Sequence, residues 1–143
     1  MTEEEIHDFG IQIVMNQLKK EKYEIFSHNS SLGINPQILA RKRNQLCFIL
    51  VRTECYPEKG KLKNHVQTQI LKLAAEHDAV PYFASVGIAR SDSKTEEEMA
   101  TPVRGAGYFA SYDGLWIIAD SNQISIWDKQ NKTLRDVRSK DLE

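Results

Sequence analysis

Four consecutive apolar residues, Phe48-Ile49-Leu50-Val51, constrain this chain more than any other stretch of it. Successive residues of a strand point to opposite faces, so a strand without polar alternation has to be covered on both sides and belongs in the centre of a sheet. The segment before it, Gln37 to Lys42, contains Ile38-Leu39-Ala40, and the polar Arg43-Asn44-Gln45 separates it from Leu46 to Arg52. That pattern predicts a β-hairpin lying within Gln37 to Glu54.

The flanking sequence supplies the layers. Thr2 followed three residues later by Glu5 is a capping-box pattern, and Ile6, Phe9, Ile13 and Leu18 recur at helical spacing, which predicts a helix from Glu3 to Lys20. Tyr23 to Ser27 predicts a strand, bounded by His28-Asn29-Ser30-Ser31 and then by Gly33 and Pro36. Beyond the turn Tyr56 to Gly60, the apolar positions Val66, Ile70, Leu73 and Ala74 trace one face of a second helix from Asn64 to about His77, and Val80 to Ala89 follows as a strand. A helix between two strands implies a crossover with at least one parallel pairing. The polar stretch Ser91 to Glu98 is a surface loop with a short helix from Thr95, and Gly107–Ser111, Leu115–Ala119 and Ile124–Trp127 are three further, antiparallel strands. The expected fold is a single α/β domain over residues 1–143. Its αβββαβ core (3–90) has a mixed central sheet flanked by helices, followed by a β extension (105–128) and a charged tail from Lys129, frayed or a short edge element.

Composition excludes some classes of function. Hydrophobic residues at 41% and charged residues at 27% fit a globular chain of 143 residues, and no apolar run approaches the length of a membrane span. The acidic start Met1-Thr2-Glu3-Glu4-Glu5 is unlike a signal peptide, which gives the expectation of a cytoplasmic protein that does not engage a membrane. Of the two cysteines, Cys47 lies inside the apolar strand as a small hydrophobe, and Cys55, ten residues before His65, lacks two further ligands for a zinc site. The four histidines, His7, His28, His65 and His77, have no i, i+4 pairing and are expected to be surface or satisfied residues. The formal net charge of −1 hides an imbalance: residues 41–63 hold seven basic side chains against the acidic Glu54 and Glu58. Those seven, Arg41, Lys42, Arg43, Arg52, Lys59, Lys61 and Lys63, are the candidate contacts for nucleic acid.

The order helix, strand, hairpin, helix, strand, with the run Ile38-Leu39-Ala40-Arg41 and Phe48-Ile49-Leu50-Val51-Arg52-Thr53-Glu54 across the hairpin and a loop Asn29, resembles the PD-(D/E)XK nuclease superfamily, closest in look to its small bacterial endonuclease-like proteins. The resemblance covers roughly residues 5 to 90. In that family an Asp on one strand and a Glu two residues before a Lys on the next hold a divalent metal that activates water for phosphodiester attack. Laid onto this sequence, the Asp falls on Gln37, the Glu on Leu50 and the Lys on Arg52. Both metal carboxylates are missing. The resemblance therefore implies a degenerate site at Gln37, Arg52 and Glu54 without a cofactor. The alternative is a Mg²⁺ or Mn²⁺ nuclease whose carboxylates have moved to Glu54 with Glu5, Asp8 or Glu76.

Weaker signals complete the reading. Gln67 and Gln69 stand where this fold often places polar residues near the site, although exposed glutamines on an amphipathic helix need no function. Gly105-Ala106-Gly107 lacks the Lys-Ser/Thr of a phosphate loop. Trp116, Trp127, Tyr108 and Tyr112 could stack bases but at strand spacing suit a core or an interface. The expected function is a nuclease-fold module that binds DNA, RNA or a protein partner without ordinary catalysis. A third possibility is a homodimer built by pairing the strands from Tyr108 to Trp127.

Overall fold

A computed structural model describes residues 1–91, 95–102 and 107–119, together with the backbone of two later strands, 123–128 and 133–138. The chain forms α1 (Glu3–Lys20), β1 (Glu24–His28), β2 (Ile38–Lys42), β3 (Gln45–Cys55), α2 (Asn64–Glu76) and β4 (Val80–Arg90). It continues through α3 (Glu96–Ala100), β5 (Tyr108–Tyr112), β6 (Trp116–Ile118), β7 (Gln123–Asp128) and β8 (Thr133–Arg138). The αβββαβ order expected from the sequence is present. The expected turn at Asp120-Ser121-Asn122, the segment 92–94, Gly105-Ala106, the indole of Trp127 and most of the tail lie outside the described residues.

Both ends of α1 form where the sequence places them. Thr2 Oγ1 accepts from Glu5 N at 3.1 Å while Glu5 Oε1 accepts from Thr2 N at 2.9 Å, so two of the donors a helix start leaves unpaired are satisfied reciprocally. Arg43 and Asn44 have positive φ of 51° and 64°, the two-residue turn whose twist matches the hairpin it closes, with Lys42 opposite Gln45.

One mixed sheet organises the molecule in the order β1-β2-β3-β4-β6-β7-β8, with β5 also on β4. β3 is central as expected, antiparallel to β2 and parallel to β4, with Leu50 opposite Phe83 and Arg52 opposite Ser85. The crossover through α2 makes that parallel pair. β5 and β6 pair antiparallel with successive parts of β4, at Val86–Arg90 and Tyr82–Phe83. The charged C-terminal segment ends as the edge strand β8 on β7.

Alternation along β3 divides the core. Ile49 and Val51 face α1 and pack with Ile11, Val14, Met15, Leu18, Ala84 and Val86. Phe48 and Leu50 face α2 and pack with Leu62, Val66, Ile70, Ala74 and Phe83. Two glycines permit this packing. A Cβ on Gly10 would collide with Thr53 Oγ1, so only glycine lets α1 lie this close to β3. A Cβ on Gly60 would collide with Arg52 O, and Gly60 holds the β3–α2 connection on the sheet by donating to Val86 O at 3.1 Å and accepting from Ser85 Oγ at 2.6 Å. Among the described residues, no helix is long and apolar enough to cross a membrane.

Candidate functional site

β3 extends past the end of β2, and the chain returning from β1 fills the space beside that overhang. Asn29 N donates to Gln37 O at 2.8 Å, and Gln37 N donates to Ile49 O at 3.1 Å, which fixes Gln37 against β3 just before β2 begins. Asn29 itself forms a local turn, its Oδ1 accepting from Ser31 N at 2.8 Å.

Gln37 is only 1% exposed, and all the capacity of its carboxamide that the fold can use is taken. Oε1 accepts from Val51 N at 2.7 Å and from Arg52 Nη1 at 3.2 Å. Nε2 donates to Ile34 O and to Asn35 Oδ1, both at 2.8 Å. Arg52 is bound in the same network: Nη1 also donates to Val51 O at 2.9 Å, and Nη2 donates to Asn35 Oδ1 at 3.0 Å. Its three acceptors are all neutral oxygens. Burial pulls the Arg52 pKa below its ordinary value, yet a guanidinium keeps its charge at any workable pH. Of its five N–H groups, three are used, which leaves Nε–H and one Nη2–H unassigned among the described residues.

The metal chemistry implied by the resemblance does not fit these residues. Leu50 is fully buried in the α2-side core and offers no donor atom. Gln37 presents a neutral oxygen already shared by Val51 N and the Arg52 cation. A hard divalent ion needs anionic oxygens to offset its dehydration, and this position supplies a fixed cation instead. The relocated carboxylates do not converge either. Glu5 is spent on the capping box, Glu54 is exposed, and Glu76 ends α2 next to His77, whose ring packs on Phe48 near the other end of β3. Among the described residues, no group of three or more His, Cys, Asp or Glu is arranged to hold a metal. Arg52 does not pair with Glu54, because it turns toward Asn35 and Gln37.

The seven basic residues spread over 41–63 are not one patch. β3 is 11 residues long, so roughly 33 Å separates the hairpin tip from the end of the strand. At the tip, Arg41 lies over the Phe26 ring at 5.1 Å and Lys42 over the Tyr23 ring at 4.6 Å, with Arg43 in the turn itself. At the far end, Arg52 is joined by Lys59, Lys61 and Lys63. Lys59 pairs with Asp113 at 2.8 Å and Lys61 with Glu58 at 3.5 Å, both pairs exposed enough to be weak, while Lys63 is the N-cap residue of α2.

Three residues were misjudged or missed at the sequence level. Gln67 is buried, not exposed, and its Nε2 reaches Ala119 O at 3.1 Å, tying α2 to the end of β6. Gln69 is exposed as expected. Asn35, the acceptor shared by Gln37 and Arg52, carried no motif. His7 is 7% exposed with its Nε2 buried and unpartnered, neither a surface nor a satisfied residue. Its signal was available, since 7, 11, 14 and 18 recur at helical spacing on the apolar face of α1. Cys47 is buried with its thiol pushed up to about 11, mainly by desolvation, and Cys55 is a second free thiol.

A family model described as a domain of unknown function (DUF8840) matches residues 4–118. No curated protein and no solved structure matches the chain.

Proposed function

We propose, from the premise that the chain belongs to the DUF8840 family, that it is a cytoplasmic nuclease-like module that holds nucleic acid without cutting it. The observation that carries this reading is the Arg52 guanidinium, inset beside β3 on three neutral oxygens with two N–H donors to spare. A cation whose anchors are neutral keeps its full charge for an incoming anion, and Arg presents its donors in the fork that suits a phosphate. Lys63, the N-cap residue of α2, extends the positive surface for a neighbouring phosphate, and Lys59 and Lys61 add to it on exchanging their exposed partners Asp113 and Glu58 for phosphate. Arg41, Lys42 and Arg43 at the hairpin tip form a second, separate contact.

The same arrangement opposes hydrolysis. Guanidinium cannot accept a proton from water, and neither Gln37 nor Leu50 can replace the carboxylates that the PD-(D/E)XK reaction requires. A filter-binding titration on duplex and single-stranded DNA and RNA tests the reading. Binding is expected at about 50 mM salt and falls steeply as salt rises, because each phosphate contact releases counterions. Arg52→Met and Lys61→Met weaken it. Absence of binding at that salt refutes the module, and nicking of plasmid with Mg²⁺ or Mn²⁺ that Glu54→Gln abolishes refutes the non-cutting assignment.

A further inference from the structure

Between the first turns of α1 and the last residues of β3 lies a cleft of about 280 Å³, walled by Glu3, His7, Leu32, Arg52, Thr53 and Glu54. It sits near the lower end of the volumes that small-molecule sites occupy, about 300 Å³. Two polar atoms of its lining residues, His7 Nε2 and Thr53 Oγ1, are buried and make no hydrogen bond in the fold. Leaving a buried polar group unpaired costs about 1–3 kcal/mol; the Thr53 hydroxyl is pressed against Gly10 of α1, which leaves the His7 imidazole as the unfilled polar group at the wall of the cleft. The third polar wall is Arg52, two of whose N–H groups the Gln37 network leaves unassigned.

We infer that this cleft binds the phosphate group of a small phosphate monoester, with Arg52 and His7 as its donors. A phosphate monoester carries close to two negative charges and three acceptor oxygens near neutral pH, enough for the guanidinium and an imidazole N–H together. The rim decides what kind of monoester enters. Glu3 and Glu54 are exposed carboxylates at the mouth and Glu4 and Asp8 stand on the same helix, so a ligand with nothing to donate to them meets repulsion there. A ligand whose remainder carries hydroxyl or ammonium groups instead donates to those carboxylates. Access is compatible with the fold, since Leu32 is 51% exposed and a Cβ on Gly33 would meet nothing within 4 Å, leaving this wall room to shift from the imidazole.

Arg52 is shared with the nucleic-acid surface proposed above, but His7 is not, which separates the two readings by experiment. Glycerol 3-phosphate is titrated into the full chain and followed by calorimetry and by the side-chain nitrogen resonances of its histidines, with glycerol and inorganic phosphate as comparison arms. Saturable one-to-one binding is expected, with the His7 resonance moving while those of the exposed His28, His65 and His77 stay. Glycerol fails to bind, and inorganic phosphate binds more weakly because, seated on Arg52 and His7, it has no arm that reaches the rim carboxylates. His7→Leu weakens monoester binding about tenfold to a hundredfold, while duplex binding is unchanged. Lack of saturation at about 10 mM, or a shift that spares His7, overturns the inference. Monoester binding that survives in a chain unable to hold duplex supports the cleft and refutes only the nucleic-acid surface.

Discussion

Replacing Gln37 by methionine tests whether this residue, standing where a nuclease would place its metal aspartate, is a structural hub. Methionine matches its length and flexibility but makes no strong hydrogen bond. The change strands Val51 N–H, a buried donor whose acceptor is Gln37 Oε1 at 2.7 Å, at a cost of about 1–3 kcal/mol. It also removes one of three acceptors from Arg52, the longest of them at 3.2 Å, for about 1 kcal/mol more. Ile34 O and Asn35 Oδ1 lose their 2.8 Å donors too, but at the half-open edge of the site, where water replaces most of that loss. The expected destabilisation is about 2–4 kcal/mol, a fall in Tm of about 10 °C for a domain of this size. Urea unfolding followed by circular dichroism measures it: the midpoint drops while the slope stays fixed. A cycle with Arg52→Met should return a coupling of about 1 kcal/mol, since the two side chains share a bond and an acceptor. If Gln37→Met lies within about 0.5 kcal/mol of the parent, the range of an ordinary surface change, the network holds nothing together and the structural account of Gln37 is wrong.

Three other outcomes follow from the packing and the buried histidine. Gly10→Ala gains about 1 kcal/mol of helix propensity but drives a methyl into Thr53, so a net loss of about 1–3 kcal/mol is expected in thermal melts; a stabilised variant would show that α1 does not approach β3 this closely. Leu50→Ala empties a fully buried site between β3 and α2 and should cost about 2–5 kcal/mol, whereas a change under about 1 kcal/mol would mean that this face is not closed. Burial, and then the nearby Arg52 charge, hold His7 below its ordinary pKa of 6.5, so its protonation is favoured more in the unfolded chain than in the folded one. Stability is therefore full above about 6.5 and declines as pH falls from there through the lower folded value; His7→Gln removes that part of the slope, and equal slopes in parent and variant would assign it to another group.

Features written in one local stretch were legible, and features that join distant stretches were not. The capping box, the helical spacing of α1 and the doubly apolar β3 each lie within a few residues, and each element formed close to its expected bounds. The fold class followed, because a strand apolar on both faces admits few surroundings. Gln37 was legible as a substitution but not as a hub, since its partners arrive from Ile34 and Asn35 on one side and from Val51 and Arg52, 14 and 15 positions away, on the other. Gln67 has the polar look of a solvent-facing helix residue, and only the return of the chain at Ala119, 52 positions on, buries it. The basic stretch misled for the opposite reason. A charge sum along the sequence takes no account of the extended strand between its two ends, and that strand makes two patches out of one.

The proposed role has an electrostatic logic that does not depend on retaining the metal. In the chemistry implied by the resemblance, two carboxylates, a lysine and a divalent ion sum to a single positive charge at the point where a phosphate docks. Here Gln37 and Leu50 contribute nothing and Arg52 contributes the same single charge, so the attraction for a phosphate is kept while the ligands of the hydrolytic ion are gone. Losing one carboxylate alone would have left the position worse off, because the surviving anion beside Arg52 would cancel the charge that draws phosphate. The carboxamide of Gln37 resolves this by holding the guanidinium through a neutral oxygen at 3.2 Å. Gln37→Glu puts the anion back with almost no change in shape. It turns two donated bonds, to Ile34 O and Asn35 Oδ1 at 2.8 Å, into oxygen–oxygen repulsions, and it neutralises Arg52. Nucleic-acid affinity should therefore fall with Gln37→Glu by at least as much as with Arg52→Met, and the salt dependence should flatten by about one phosphate contact. Tighter binding to Gln37→Glu at low salt would mean that the charge at this position is not what holds the ligand.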